Sequence, residues 1–117
     1  MKDVERIRER YLRDSVSVRL GGLAANLRRI KSFAGIETNF AVVESLLDES
    51  KFFIEWMARE TEIDTAAELV ELQIQLAQWQ NNWSMLSSDP LQRNQVAEQS
   101  RIWSDRVLEL SGLLDSN

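Results

Sequence analysis

The stretch TAAELVELQIQLAQWQNNWSML, residues 65–86, decides the fold. Leu69, Leu72, Leu76, Trp79, Trp83 and Leu86 recur at steps of three and four, which keeps all of them on one face of an α-helix. Thr65 and Glu68 have the spacing of a capping box, so the helix is predicted to start there. Ser87 and Ser88 close the run. Asp89 followed by Pro90 then reads as an N-cap with proline in the first helical position, and a further helix is predicted with Val96, Trp103, Val107, Leu110 and Leu114 as its apolar stripe.

The same spacing extends toward the N-terminus. Phe40, Val43, Leu47, Ile54 and Met57 predict a helix over about Asn39–Glu60, capped by Thr38 or Asn39. Val16, Leu20, Leu23, Leu27, Ile30 and Ala34 form another stripe, which Val4, Ile7 and Tyr11 extend backward. One helix over about Asp3–Ala34 follows, with Gly35 as a left-handed C-cap and Ile36 folding back. Gly21 and Gly22 lie inside it, each costing about 1 kcal/mol of helix propensity relative to alanine. Either the helix kinks or breaks there, or a neighbouring helix crosses closely where side chains are missing.

Short connections favour antiparallel neighbours. The expected architecture is all-α: an up-down-up-down antiparallel four-helix bundle with a long N-terminal helix, residues 1–117 forming a single domain. The rival is a three-helix domain with its first helix split at the glycines. At 1.5 Å per residue the first helix would be about 45 Å long and the 65–86 helix about 30 Å, leaving an overhang. That overhang carries Val4, Ile7 and Tyr11, which either dock on a second copy or fray.

Composition removes much chemistry. The chain has no His and no Cys, so Ser-His-Asp and Cys-His sites, Glu-x-x-His di-iron motifs and disulfides are excluded within it. No catalytic residue, metal site or cofactor is expected. Glu60, Glu62, Asp64, Glu68 and Glu71 cluster in sequence but lack the glycine and alternation of a calcium loop, and read as an acidic helix start favoured by the macrodipole. Ser50 beside Lys51, and Ser32 beside Lys31, point about 100° apart on a helix, the wrong geometry for a Ser-Lys dyad. Met1–Asp14 has no apolar run of signal-peptide length, and the charge-free run Leu72–Ser88 is broken by amides that a bilayer would not accept. A cytoplasmic protein is expected, in keeping with the absence of Cys.

Charge and aromatic placement bear on partners. Residues 1–35 hold nine basic and four acidic side chains, whereas residues 36–117 hold five basic and fifteen acidic. Arg6, Arg10 and Arg13 share a face, and Arg28, Arg29 and Lys31 form a second cluster; together they are candidate contacts for nucleic acid or an anionic membrane surface. The interleaved acids Asp3, Glu5, Glu9 and Asp14 make nucleic acid the less favoured partner, and the competing reading is that the basic helix is matched to acidic helices of the same fold. Ten of the thirteen Asn and Gln residues lie between Gln73 and Gln99, a charge-poor zone read as solvated amides or as an interface core. Phe52, Phe53 and Trp56 widen the apolar arc of the Phe40–Met57 helix. With Val4, Ile7 and Tyr11 they form the expected homodimer interface. The function expected from these features is a non-enzymatic, self-associating interaction module, with an anion-binding module as the alternative.

Overall fold

The computed structural model describes Asp3–Ile36 and Asn39–Asp115, and all of its regular elements are helical. Six α-helices are present among the described residues: α1 Val4–Arg13, α2 Val16–Phe33, α3 Phe40–Met57, α4 Ile63–Asn81, the single turn α5 Trp83–Leu86, and α6 Pro90–Ser111. Short 3-10 turns, Ala58–Glu60 and Leu113–Asp115, follow α3 and α6. The apolar stripes point inward. Leu23, Leu27 and Ile30 of α2, Val43, Leu47 and Ile54 of α3, and Leu69, Leu72 and Leu76 of α4 join Trp83 and Val107 in one buried cluster. Full burial of such a side chain is worth roughly 1.5–3 kcal/mol, so this cluster dominates the folding energy.

The long N-terminal helix is two helices. The break falls at Asp14 and Ser15, both extended (ψ 157° and 161°), and not at the glycines. Its causes are one tertiary contact and two local hydrogen bonds. Tyr11 turns onto α3 and stacks on Phe53, with ring centroids 4.0 Å apart and planes 9° from parallel. Arg19 Nε donates to the Asp14 carbonyl at 2.9 Å, and the Ser15 hydroxyl accepts the Val18 N–H at 3.3 Å, capping α2. α1 is thus a separate helix that packs on α3.

The Gly21–Gly22 pair is neither a break nor a close helix crossing: a side chain there would meet Leu113 of the 3-10 turn and Tyr11 of α1. α2 runs through it unbroken and packs most extensively on α6. The α6 residues turned inward there are small: Ser100, Ser104 and Ser111 are buried, and the Ser104 hydroxyl donates to the Ala24 carbonyl at 2.8 Å. The hydroxyls of Ser100 and of Ser50 on α3 are buried with no hydrogen-bond partner among the described residues. A methyl at Gly21 would lie 2.9 Å from Leu113 Cδ1, whereas one at Gly22 would be 4.0 Å from Tyr11 Cε1. Gly22→Ala is therefore expected to raise unfolding stability by about 1 kcal/mol, and Gly21→Ala by less because Leu113 must shift; urea denaturation measures both.

Four smaller expectations change. α4 starts at Ile63 with Glu62 as N-cap, so Thr65 and Glu68 lie inside the helix and make no capping box; Glu68 instead pairs with Arg106 of α6 at 2.7 Å. Asn82 leaves helical geometry, its side-chain amide donating to the Gln78 carbonyl at 2.9 Å, so Trp83 and Leu86 belong to α5. Leu114 is exposed, because Gly112 takes a left-handed φ of 74° and ends α6 before that position. Gly35 does not take the left-handed form; α2 ends on Ala34 in right-handed geometry. Thr38 lies outside the described residues, and Asn39 is the N-cap of α3 without a side-chain hydrogen bond. The Asp89–Pro90 start of α6 is as expected, with the Asp89 carboxylate accepting the Leu91 N–H at 3.0 Å.

Candidate interaction surfaces

Four of the six residues expected to face a second copy, Tyr11, Phe52, Phe53 and Trp56, meet one another inside a single chain. Val4, Ile7 and Tyr11 are on α1; Ile7 is half-buried against the core and Tyr11 is buried. Phe52, Phe53 and Trp56 are on α3. Tyr11 stacks on Phe53 and lies 6.0 Å from Trp56, and Trp56 is 5.4 Å from Phe52, so four rings form one continuous aromatic group. The Tyr11 hydroxyl donates to the Arg19 carbonyl at 3.0 Å, and burial raises its pKa. An open cleft of about 410 Å³ runs beside this seam, lined by Ile7, Arg10, Tyr11, Arg13, Asp14 and Phe53.

Arg19, which the sequence reading did not single out, holds the junction of α1, α2 and α3. Its side chain is buried, with Nη1 and Nη2 donating to Glu60 at 2.7 and 3.0 Å while Nε holds Asp14. The hydrogen bond from Arg19 is the main cause that depresses the Glu60 pKa. A depressed folded-state pKa contributes stability that is complete above the unfolded value, about 4.3, and is lost as pH falls through the folded value. Arg106 and Arg101 depress Glu68 and Glu98 in the same way. The melting temperature should accordingly fall below about pH 4, and Glu60→Gln should reduce but not abolish that acid dependence.

The six expected anion contacts divide. Arg28 Nη2 pairs with Asp105 of α6 at 2.7 Å, and Arg29 Nη1 donates to Asn26 at 3.2 Å. Lys31 is exposed and adds a small attraction that lowers the Glu98 pKa. Arg6, Arg10 and Arg13 are exposed, and none of them has an ion-pair partner among the described residues. The structure thus does not gather the six into one patch: three are on α1 and three on α2, of which Arg28 is ion-paired within the chain.

Part of the amide-rich zone is also used internally. Gln73 Nε2 donates to the Lys51 carbonyl at 3.3 Å, Lys51 Nζ donates to Gln80 at 2.5 Å, and Gln80 Nε2 donates to Asp48 at 3.3 Å, which ties α3 to α4. No group of three or more carboxylates among the described residues is placed to hold a metal ion, and no described helix is long and apolar enough to cross a membrane.

One surface escaped the sequence reading. On α4, Ile63, Ala67, Val70 and Ile74 are exposed, Ile63 at 87%. Their steps of four, three and four place them about 180° around the helix from Leu69, Leu72, Leu76 and Trp79. α4 therefore carries two apolar faces. The signal was present in the sequence, but the leucine stripe on the same residues masked it. Comparison with protein-family models, with curated proteins and with solved structures finds no match to this chain.

Proposed function

We propose that this chain is a non-enzymatic helical interaction module that self-associates through the outer face of α4. The observation that carries the reading is the exposed row Ile63, Ala67, Val70 and Ile74 on a helix whose opposite face is already buried. A helix apolar on one stripe needs only the core; a second stripe in water costs free energy unless something covers it. The helix is also fixed in advance by its inner face, so docking on it requires little ordering. The frame of the reading is an up-down-up-down bundle of α2, α3, α4 and α6 with α1 folded against it. Opposed pairs support that frame: Asn26 with Glu49 of α3 and Arg19 with Glu60 of the 3-10 turn that follows α3, and Lys31 near Glu98 with Ala24 bonded to Ser104 between α2 and α6. A chain with neither His nor Cys supports the non-enzymatic part and a reducing, cytoplasmic setting.

The double substitution Val70→Glu/Ile74→Glu tests the reading. Both positions are exposed, so the fold should survive and helical circular dichroism should be unchanged, while sedimentation equilibrium should shift from dimer to monomer. A dimer that persists in the variant would place the interface elsewhere.

A second reading, an anion-binding module, draws on α1. Arg6, Arg10 and Arg13 have no partner among the described residues, and the aromatic seam lies beside Arg10 and Arg13. Binding to anionic vesicles or to single-stranded nucleic acid would fall steeply with salt and be lost in Arg6→Glu/Arg10→Glu.

A further inference from the structure

We infer that the partner of the α4 outer face is the α4 of a second copy, paired in parallel and in register about a two-fold axis. This rests on the self-association reading above. The exposed stripe extends beyond Ile74: Ala77 and Asn81 continue the alternation of four and three to the end of the helix at Asn81, with Ala77 half-buried and Asn81 exposed. In coiled-coil notation Ile63, Val70 and Ala77 take d positions, and Ala67, Ile74 and Asn81 take a positions. The stripe spans the whole of α4, about 28 Å.

Two features select the parallel arrangement. In it every layer meets its own copy, so Asn81 faces Asn81 and can exchange amide hydrogen bonds, the role of a lone asparagine at an a position in fixing register. An antiparallel pair centred on the stripe would instead bury Ile63 against the second copy's Asn81. The flanks agree. In the parallel pair Ala66 and Gln73 lie beside the second copy's Glu71 and Gln78, with no like charges opposed. The antiparallel pair would bring Glu71 beside the second copy's Glu71, at a cost. Ala67 and Ala77 are small, which suits close approach of two helices in either orientation.

The chain has no cysteine, so single cysteines report the geometry directly. Ile63→Cys and Asn81→Cys are both at exposed positions and leave the core untouched. They are 18 residues apart, about 27 Å along the helix, far beyond the roughly 7 Å between Cα atoms that a disulfide can span. Under mild oxidation each variant alone is expected to give a disulfide-linked dimer at least tenfold faster than Asn94→Cys, an exposed control on α6. Linkage only when the two variants are mixed would overturn the parallel assignment and leave self-association standing. Linkage no faster than the control in every arm, with a monomeric mass for the unsubstituted chain, would overturn both.

Discussion

Truncating Trp83 to alanine is expected to lower unfolding stability by about 3–5 kcal/mol, a large share of the 5–15 kcal/mol typical of a domain. Trp83 is 2% exposed and stands edge-on to Phe40, ring centroids 5.5 Å apart, while its indole N–H donates to the Phe40 carbonyl at 3.2 Å. The substitution removes the largest of the fully buried side chains and leaves the Phe40 carbonyl without the indole N–H. It also loosens a junction, because α5 connects α4 to α6 while its tryptophan reaches back to the first residue of α3. Arg93 of α6 lies over the other partner, its guanidinium 5.3 Å from the Phe40 ring centre, so the start of α6 should loosen as well. Urea denaturation followed by tryptophan fluorescence measures the loss, with Trp56, Trp79 and Trp103 remaining as probes.

The second large effect belongs to Tyr11. It is the buried residue of α1, so Tyr11→Ala is expected to cost about 3 kcal/mol and to release α1 rather than unfold the bundle. Trypsin should then cleave rapidly after Arg8, Arg10 or Arg13, positions that the docked helix protects. Tyr11→Phe keeps the stack on Phe53 and loses the hydroxyl's hydrogen bond to the Arg19 carbonyl and its weaker contact with Met57 Sδ, so its cost should be about 1 kcal/mol with α1 still protected. Both variants should keep the solution mass of the native chain, because α1 packs on α3 and the proposed dimer face is the outer side of α4.

Much of the frame was legible because the residues that build it are apolar and regularly spaced. Leu69, Leu72, Leu76 and Trp79 are buried as their period requires, and Asp89–Pro90 starts a helix as local chemistry dictates. What escaped depends on tertiary partners. Nothing at Asp14–Ser15 forbids a helix, and the apolar stripe reads straight through; the bend exists because Tyr11 finds Phe53 and Arg19 holds the Asp14 carbonyl. Ser100, Ser104 and Ser111 were missed because hydropathy does not register small polar residues, although they are buried on α6 and Ser104 bonds the Ala24 carbonyl of α2. Glu68 looked like a cap and is an ion-pair partner across helices, a choice that only the position of Arg106 decides.

The interaction surface was legible only in part. Phe52, Phe53 and Trp56 were read as widening one helix's apolar arc and Tyr11 as part of another helix's stripe, and the sequence could not say that Tyr11 would meet Phe53 and Trp56 within one chain. Ile63, Val70 and Ile74 of α4 are among the large apolar side chains that remain exposed. Arg28 shows the same logic in charge: a member of a basic cluster along the chain, it is neutralised by Asp105 from the far end of the sequence.

The most direct test of self-association is the solution mass of the unsubstituted chain by light scattering on a sizing column, from micromolar to millimolar concentration and at low and high salt. Burial of the α4 stripe is apolar, so a mass near twice 13.5 kDa that persists or rises with salt is the expected result. A mass of 13.5 kDa at every concentration and salt would contradict it.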